Sequence, residues 1–536
     1  MHLIKHHKYW RLLEILPGAL TWTALTLPII LSIFIPEYVA IFAIAYTTYW
    51  LFRSIKLSID LIQGYRRMRI AQKTDWNELL GFIEKPDHLN TAISNLATRR
   101  TTENKRLEAV YRELVSELTH LKSIDQYKKP SEIFHAILFV TYKEPLELVR
   151  QSIKSYAEST YDPKKIIFVF SGEESDKVNA EKYANEMEKE FGHRFHHFVA
   201  TTHPKGLPNE IPGKAANATW AAHKLQAYLE KEKIAYDDVI LSNFDADTVV
   251  DPQYFSELTF RYLIEENRSI KTYQPTHFFH NNIWEVPMLI RLISLSSTFI
   301  RLAESTNTQR YKSFSSRSMG FQNAIDSDFW DPMVIPEDSR QYWTSYLKYK
   351  GNYELVQVYT PIYMDAVQSQ TYVTTFKDQY KQLRRWSWGV TDFPFVAINL
   401  WYAKGISWYK KTKSIIELLQ DHFFWATTPI LLSFSGYLPN LLNSEFRNTV
   451  LSHNVPALAA TILNISATGI LISAFLSFQI LTFNKHIGFL KRISIGLQWV
   501  FVPITSIFLV SIPAIESQTR LILNKRLDYQ VTPKVR

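Results

Sequence analysis

The sequence predicts an α/β domain with a doubly wound, mainly parallel sheet, embedded in an α-helical transmembrane protein. Three observations carry this reading. From Ser131 onward, apolar strand-like runs alternate with helical stretches, the pattern of a parallel sheet covered on both faces. Long runs without a charged residue stand on either side of that region, and about 20 apolar residues cross a bilayer. Between them, one strand runs directly into Asp245-Ala246-Asp247. Open α/β sheets bind their ligands at such strand ends.

Composition sets the bounds. A chain of 536 residues is too long for one core, so several domains are expected. The 60 Lys+Arg exceed the 51 Asp+Glu, a net charge of +9. There is no zinc-finger spacing and no Arg-rich tail, so the excess suits acidic lipid headgroups and anionic substrates, and nucleic acid is not expected as a partner. The absence of Cys excludes disulfides, thiolate metal sites and Cys nucleophiles.

Residues 1–62 read as a membrane hairpin. Lys5, Lys8 and Arg11 precede Ile15–Pro36, 22 residues without a charge; Pro36-Glu37 makes a turn, and Tyr38–Phe52 continues apolar to Arg53 and Lys56. A second apolar segment following at once argues against a cleaved signal peptide. Basic flanks place both ends of the hairpin in the cytoplasm. Residues 63–130 form a polar helical connector, with Leu89, Ile93, Leu96 and then Leu107, Val110, Leu114 and Leu118 at helical spacing.

The α/β region spans 131–395. Ile133–Thr141, Ile166–Phe170, Phe195–Ala200 and Asp238–Phe244 read as strands, and Pro145–Ser159, Asp176–Gly192 and Lys214–Lys231 as the helices between them. Beyond 251 the pattern becomes helices and irregular loops, including Trp284–Ala303, either an amphipathic helix on the membrane or an ordinary packed one. Residues 396–417 mix aromatics with lysines, as an interfacial helix does. In 418–536, the uncharged runs His422–Ser444, Asn448–Asn484 and Ile493–Ile515 each read as one crossing, followed by a short basic tail. Five crossings leave Lys485, Lys491 and Arg492 inside. They put Arg520, Lys525, Arg526, Lys534 and Arg536 outside, against the positive-inside tendency, unless the last run, with Pro503 and Pro513, is re-entrant.

Four short patterns carry the chemistry. Asp245 and Asp247 at a strand end suit a hard divalent cation, Mg²⁺ or Mn²⁺, whose shell substrate phosphates and waters complete. Gly213-Lys214-Ala215-Ala216-Asn217 opens a helix, where an N-terminus favours anions and a lysine adds a point charge for phosphate. Ile335-Pro336-Glu337-Asp338 lies 91 residues after Asp247 (338 − 247). Its acids also suit a helix N-terminus, a role compatible with chemistry. Gln382-Leu383-Arg384-Arg385-Trp386 follows 44 residues later (382 − 338), offering Arg385 for bidentate phosphate contact and Trp386 as a flat apolar face. His135 reads as a core histidine and His203 as loop surface, and no metal-binding His pair stands out.

The order FDAD, PED, QLRRW resembles the family 2 glycosyltransferases, in particular the membrane-embedded cellulose and hyaluronan synthase-like branch. GKAAN is similar to that family's Lys-Ala-Gly-x-x-Asn segment, and Phe329-Trp330-Asp331-Pro332 to the stretch before its acidic motif. The likeness covers roughly residues 131–395 and the flanking membrane segments in kind. Taken singly, each motif is weak; four in order between membrane segments are specific.

The resemblance implies a GT-A-like domain that transfers a sugar, with inversion, from a nucleotide-sugar donor, with uridine the expected base, to a polysaccharide or glycan acceptor. It implies Asp338 as catalytic base with Glu337 beside it, and Asp245 and Asp247 at the metal. Glu144, Glu173, Lys214, Asn217 and Asp245 would bind the donor, and Gln382, Arg385 and Trp386 the acceptor and diphosphate. Two departures stand out: Lys143-Glu144 where the family shows Asn-Glu, and Ser171-Gly172-Glu173-Glu174 where it shows Asp-Asp-Gly, which puts uridine specificity in doubt. The expected setting is the inner (cytoplasmic) membrane, multi-pass, with the catalytic domain cytoplasmic and with room for a partner subunit or oligomer. Two alternatives stay open: a non-processive transferase acting on a lipid-linked acceptor, and a catalytically silent scaffold or transporter that keeps the fold.

Overall fold

The computed structural model describes residues 3–4, 7–85, 88–102, 108–123, 127–310, 312–481 and 488–528. Lys5, Leu107, Lys485, Lys534 and Arg536, named above, lie outside these. The chain forms two compact units. One comprises Met1–Ile62, Ile283–Ala303 and Ala366–Pro533; the other comprises Gln63–Asn282 and Glu304–Asp365.

The second unit holds an eight-stranded mixed sheet in the order β3-β2-β1-β4-β7-β6-β8-β5. Its strands are β1 Phe134–Val140, β2 Ile166–Glu173, β3 His197–His203, β4 Val239–Asp245, β5 Val249–Val250, β6 Thr272–Phe278, β7 Arg317–Gly320 and β8 Leu355–Tyr363. β1 to β4 are all parallel, and Val140 pairs with both Ser171 and Asp245, so their carboxyl ends lie level. β1, β2 and β4 are buried on both faces because helices cover both, whereas β3, at the edge, is partly exposed. Ile137, Phe139, Phe168, Phe170 and Phe244 pack with Leu148, Ile153 and Tyr156 of the helix Leu146–Ala157. Ala136, Leu138, Val169 and Leu241 pack with Ala218, Ala222, Leu225 and Leu229 of the helix Lys214–Glu232. The alanine-rich face of that helix lets it lie close on the sheet. The connector helices Trp76–Glu84, Leu89–Thr102 and Glu108–Ser123 join the first of these cores through Trp76, Leu79, Leu96, Leu114 and Leu118.

Beyond β4 the sheet departs from simple alternation. β7 runs antiparallel to both β4 and β6, and β5 runs antiparallel to β8, while β6 and β8 pair in parallel. The sequence patterns of 252–395 suggested no strands there. β6 and β8 each contain a proline, Pro275 and Pro361, which weakens a strand signal. Their register shifts between Pro275 and Thr276. The fully buried Glu257 serves this irregularity, accepting the N–H groups of Tyr359 at 3.2 Å and Thr360 at 2.6 Å.

The first unit is helical. Trp10–Phe34 is followed at once by Pro36–Lys73, which starts at Pro36 and runs well past the expected Phe52. Among the described residues, three helical stretches are long and apolar enough to cross a membrane: Trp10–Phe34, Val450–Ile480 and Phe489–Ile522. Tyr38–Phe52 and His422–Ser444 are not among them. The former is diluted by Tyr46, Thr47, Thr48 and Tyr49. The latter is split: a helix that begins with Trp408, Lys410, Lys411 and Lys413 ends at Phe434, and a short helix Leu438–Leu442 follows. Phe489–Ile522 is helical throughout, with 3₁₀ turns at Gln498–Phe501 and π turns at Ser506–Ser511.

The first and last of these stretches pack antiparallel. Arg11 donates to the carbonyls of Leu521 at 2.7 Å and of Ile522, Arg526 pairs with Glu14 at 2.8 Å, and Thr21 donates to Gln518 at 2.6 Å. Met288–Glu304 is an ordinary packed helix, whose buried Arg291 donates to Gln498 at 3.0 Å and Ser494 at 3.1 Å.

Candidate active site

The acidic turn after β4 is anchored from four sides. Ser152 and Tyr156, one helical turn apart, donate to the carbonyls of Ala246 at 2.8 Å and Thr248 at 2.6 Å. Asn281 donates to the carbonyl of Asp247 at 3.0 Å. The N–H of Asp365, just past β8, donates to the Asp247 carboxylate at 2.9 Å. Ser316 accepts the N–H of Asp245 at 3.1 Å and contacts the Thr248 hydroxyl at 2.9 Å. Ser316 reaches them with φ at 53°, a left-handed backbone rare for a residue with a Cβ. Such strain is held only where the surroundings over-determine it. Burial, with Asp247 and Asp245 nearby, pushes the Tyr156 hydroxyl pKa well above its ordinary value, so the anchor stays a protonated donor.

Lys214 gathers the acids. It opens its helix, and its Nζ lies 2.6 Å from Asp245 Oδ1, while Ser315 donates to Asp245 Oδ2. Burial alone would lower the pKa of this ammonium; Asp245, Asp338 and Glu337 outweigh it and hold it above the ordinary lysine value. Lys214 therefore pairs directly with Asp245 and is stabilised as a cation by the charges of Asp338 and Glu337. Glu337 and Asp338 form the first turn of the helix Glu337–Lys348, where the dipole favours acids, and both are buried. The Phe329–Pro332 stretch braces this assembly. Thr219 donates to the Trp330 carbonyl at 2.9 Å, Ile211 N–H to the Pro332 carbonyl at 3.0 Å, and Arg340 pairs with Asp331 at 3.6 Å.

A second cluster closes the ends of β2 and β3. Asn217, fully buried, donates to Glu173 at 2.8 Å and to the Gly172 carbonyl at 3.1 Å, and accepts from Ser171. Glu173 also meets His203 Nδ1 at 3.1 Å, and Glu210 lies 3.1 Å from His203 Nε2. His203 is therefore no loop-surface residue: it ends β3, is 4% exposed and sits between two carboxylates. Burial opposes its charge, and Glu173 and Glu210 more than offset that, raising its pKa. THPKG looked like surface because its Pro and Gly signal a loop that begins only after the histidine. Glu144 turns back on its own chain, accepting from the Thr141 hydroxyl at 2.7 Å and the Tyr142 N–H. Lys143 before it takes φ at 64°, a left-handed conformation that Asn or Gly adopts more readily than lysine.

Gln382, Arg385 and Trp386 belong to the helical unit, on Tyr372–Ser387. There Gln382 accepts from Gln379 at 3.1 Å, and Trp386 packs against a cluster of Ile293, Leu383 and Leu509. Their neighbour Arg384 pairs with Glu516 at 2.7 Å.

Sequence reasoning missed Ser313, Ser315, Ser316 and Arg317, as well as Asn281 and Asp365. The run Ser313-Phe314-Ser315-Ser316-Arg317-Ser318 has the polarity of a surface loop, yet it supplies a wall of the site. Arg317 is fully buried on β7, and its guanidinium donates to the Asp338 carbonyl at 3.2 Å.

No protein-family model and no curated protein matches the chain. Among solved structures, the chain is similar to the mannosyltransferase PcManGT from Pyrobaculum calidifontis in complex with GDP-Man and Mn²⁺, at 13% identity over 78% of this chain and 99% of that one, with a TM-score of 0.35. It is also similar to S. aureus TarS 1-349 in complex with UDP-GlcNAc, at 11% identity over 67% of this chain and 95% of that one, with a TM-score of 0.33. Likeness at this level carries no argument for function.

Proposed function

We propose that the chain is an inverting membrane glycosyltransferase of GT-A type that moves a sugar from a nucleotide-sugar donor to a glycan or lipid-linked acceptor. One observation carries the proposal: Lys214 pairs with Asp245 at 2.6 Å, and its ammonium also feels the charge of Glu337 and Asp338, so three separated motifs act on one cation. Lys214 and its helix N-terminus suit a diphosphate. Asp338 suits the proton of an acceptor hydroxyl, which a positioned carboxylate takes as the oxygen attacks the anomeric carbon. Attack opposite the leaving diphosphate inverts that carbon. Glu337 would orient the acceptor, Asn217 and Glu144 would shape the donor end of the sheet, and Gln382, Arg385 and Trp386 would act on acceptor and diphosphate.

The acidic pair suits a divalent cation that arrives with its substrate. Among the described residues no group of three or more His, Cys, Asp or Glu could hold an ion unaided. Two carboxylates with a diphosphate and waters do form a Mg²⁺ or Mn²⁺ shell. Bound there through Asp245 and Asp247, the ion would neutralise charge gathering on the leaving group.

Glu173 is taken up by Asn217 and His203 rather than held ready for a base, which supports a donor preference not restricted to uridine. The antiparallel contacts of Arg11 and Arg526 favour an even number of crossings over five, with both basic ends on the cytoplasmic side.

The test is nucleotide release from a panel of UDP- and GDP-sugars with Mn²⁺ or Mg²⁺, by wild type and Asp338→Asn. We expect one donor class to turn over, and the variant to lose on the order of 100-fold or more of that rate while still binding nucleotide. Unchanged turnover in Asp338→Asn would overturn the mechanism. Product length then separates a processive polymerase from a single-addition enzyme.

A further inference from the structure

Arg317 has no part in any motif of the sequence, yet it is the most deeply placed cation of this unit's site. It is wholly buried. Its Nη1 donates to Thr272 Oγ1 at 3.2 Å and to Ser313 Oγ, and its Nη2 to the Asp338 carbonyl at 3.2 Å and to Gln341 Oε1. Nε has no hydrogen-bond partner and lies 3.9 Å from Asp338 Oδ1. Among the described residues, Asp338 is the one carboxylate within ion-pair distance of this guanidinium.

A buried guanidinium cannot shed its proton, and burying it without a counter-ion is costly. Four of its donors go to neutral oxygens, which fix its plane but do not cancel its charge. The fifth faces the carboxylate assigned above to the acceptor proton. That gap exceeds a hydrogen bond by roughly 1 Å, the kind of slack that closes when a reacting complex forms. The same side chain grips the backbone of the residue whose carboxylate it faces, so it sets both the position of the helix end and the direction of its acid.

We infer that Arg317 is the positioning residue for Asp338, tethering its carbonyl and holding its carboxylate ionised and aimed. This rests on the proposed transferase reading. Charged groups near Asp338 include Arg317 from β7, Lys214 from the helix Lys214–Glu232, which pairs with Asp245 of β4, and Glu337 on its own helix. Lys214 is already paired with Asp245, so removing Arg317 leaves Asp338 with less cationic support.

The test compares wild type, Arg317→Lys and Arg317→Met, full length in detergent, by steady-state transfer with the active donor and by nucleotide binding. In Arg317→Met, kcat should fall on the order of 100-fold, the cost of a misplaced group, with nucleotide Kd within about twofold. Its acid limb should move up by about one pH unit, since loss of an adjacent cation favours the protonated acid. Arg317→Lys should restore the acid limb while kcat stays depressed, because an ammonium keeps the charge and lacks the fork. If Arg317→Met does not fold, Arg317→Lys alone decides: wild-type kcat overturns the inference. So do an unmoved acid limb in folded Arg317→Met and a parallel loss of nucleotide affinity. A wild type that turns over no donor overturns the transferase reading itself, and a wild type that is active beside unaffected variants overturns only this inference.

Discussion

At the residue scale, burial decides which charges survive. His135 lies inside β1, fully buried, with Nε2 2.7 Å from the Thr259 hydroxyl. Burial lowers its pKa to about 3. The folded chain therefore keeps it neutral, while the unfolded chain protonates it below about 6.5. Stability from this group is complete above that value and declines as pH falls toward 3, by about 2 kcal/mol at pH 5. Melting of wild type against His135→Phe should show a gap that shifts toward the variant as pH drops from 7 to 5; a gap independent of pH would refute it. This histidine was legible as core, because it interrupts an apolar strand run. His203 was not, because nothing in THPKG reports that Glu173 and Glu210 arrive from elsewhere. The acids at 245, 247, 337 and 338 stood out in the sequence by motif, whereas Arg317 did not, since a lone arginine among serines has the chemistry of a solvated loop.

At the element scale, the parallel half of the sheet was readable because each of β1 to β4 is an apolar run followed by a helical stretch. The remainder was hidden for a physical reason. β6 and β8 rely on side chains from other elements to satisfy a ladder that prolines and a register shift interrupt. Glu257 is the clearest example: from the helix Tyr254–Ile264 it caps two N–H groups of β8 and pairs with Arg261 at 3.4 Å. Glu257→Ala would leave those two buried N–H groups without an acceptor and take from Arg261 one of its two carboxylates, the other being Glu117 at 2.7 Å. It should cost about 3–5 kcal/mol of stability by chemical unfolding, and a loss under about 1 kcal/mol would show that the bulge holds itself.

At the scale of the whole molecule, the helical unit closes on itself through its first and last apolar stretches. The natural absence of cysteine makes this directly testable. Single cysteines introduced as Lys8→Cys and Asp528→Cys should show the same accessibility to an impermeant maleimide in sealed vesicles, both labelled or both protected. Opposite accessibility would restore an odd number of crossings. The division of the chain has its own consequence. The sheet unit draws on Gln63–Asn282 and Glu304–Asp365, and the stretch between them belongs to the other unit. A ribosome has therefore finished β4 and its acidic turn long before it delivers Asp365, whose N–H fixes Asp247. A nascent chain has therefore made the helix of the other unit while its sheet still lacks β8, the strand that pairs with β5 and β6. No single cut of the gene yields the sheet unit alone without carrying the insert Ile283–Ala303 with it.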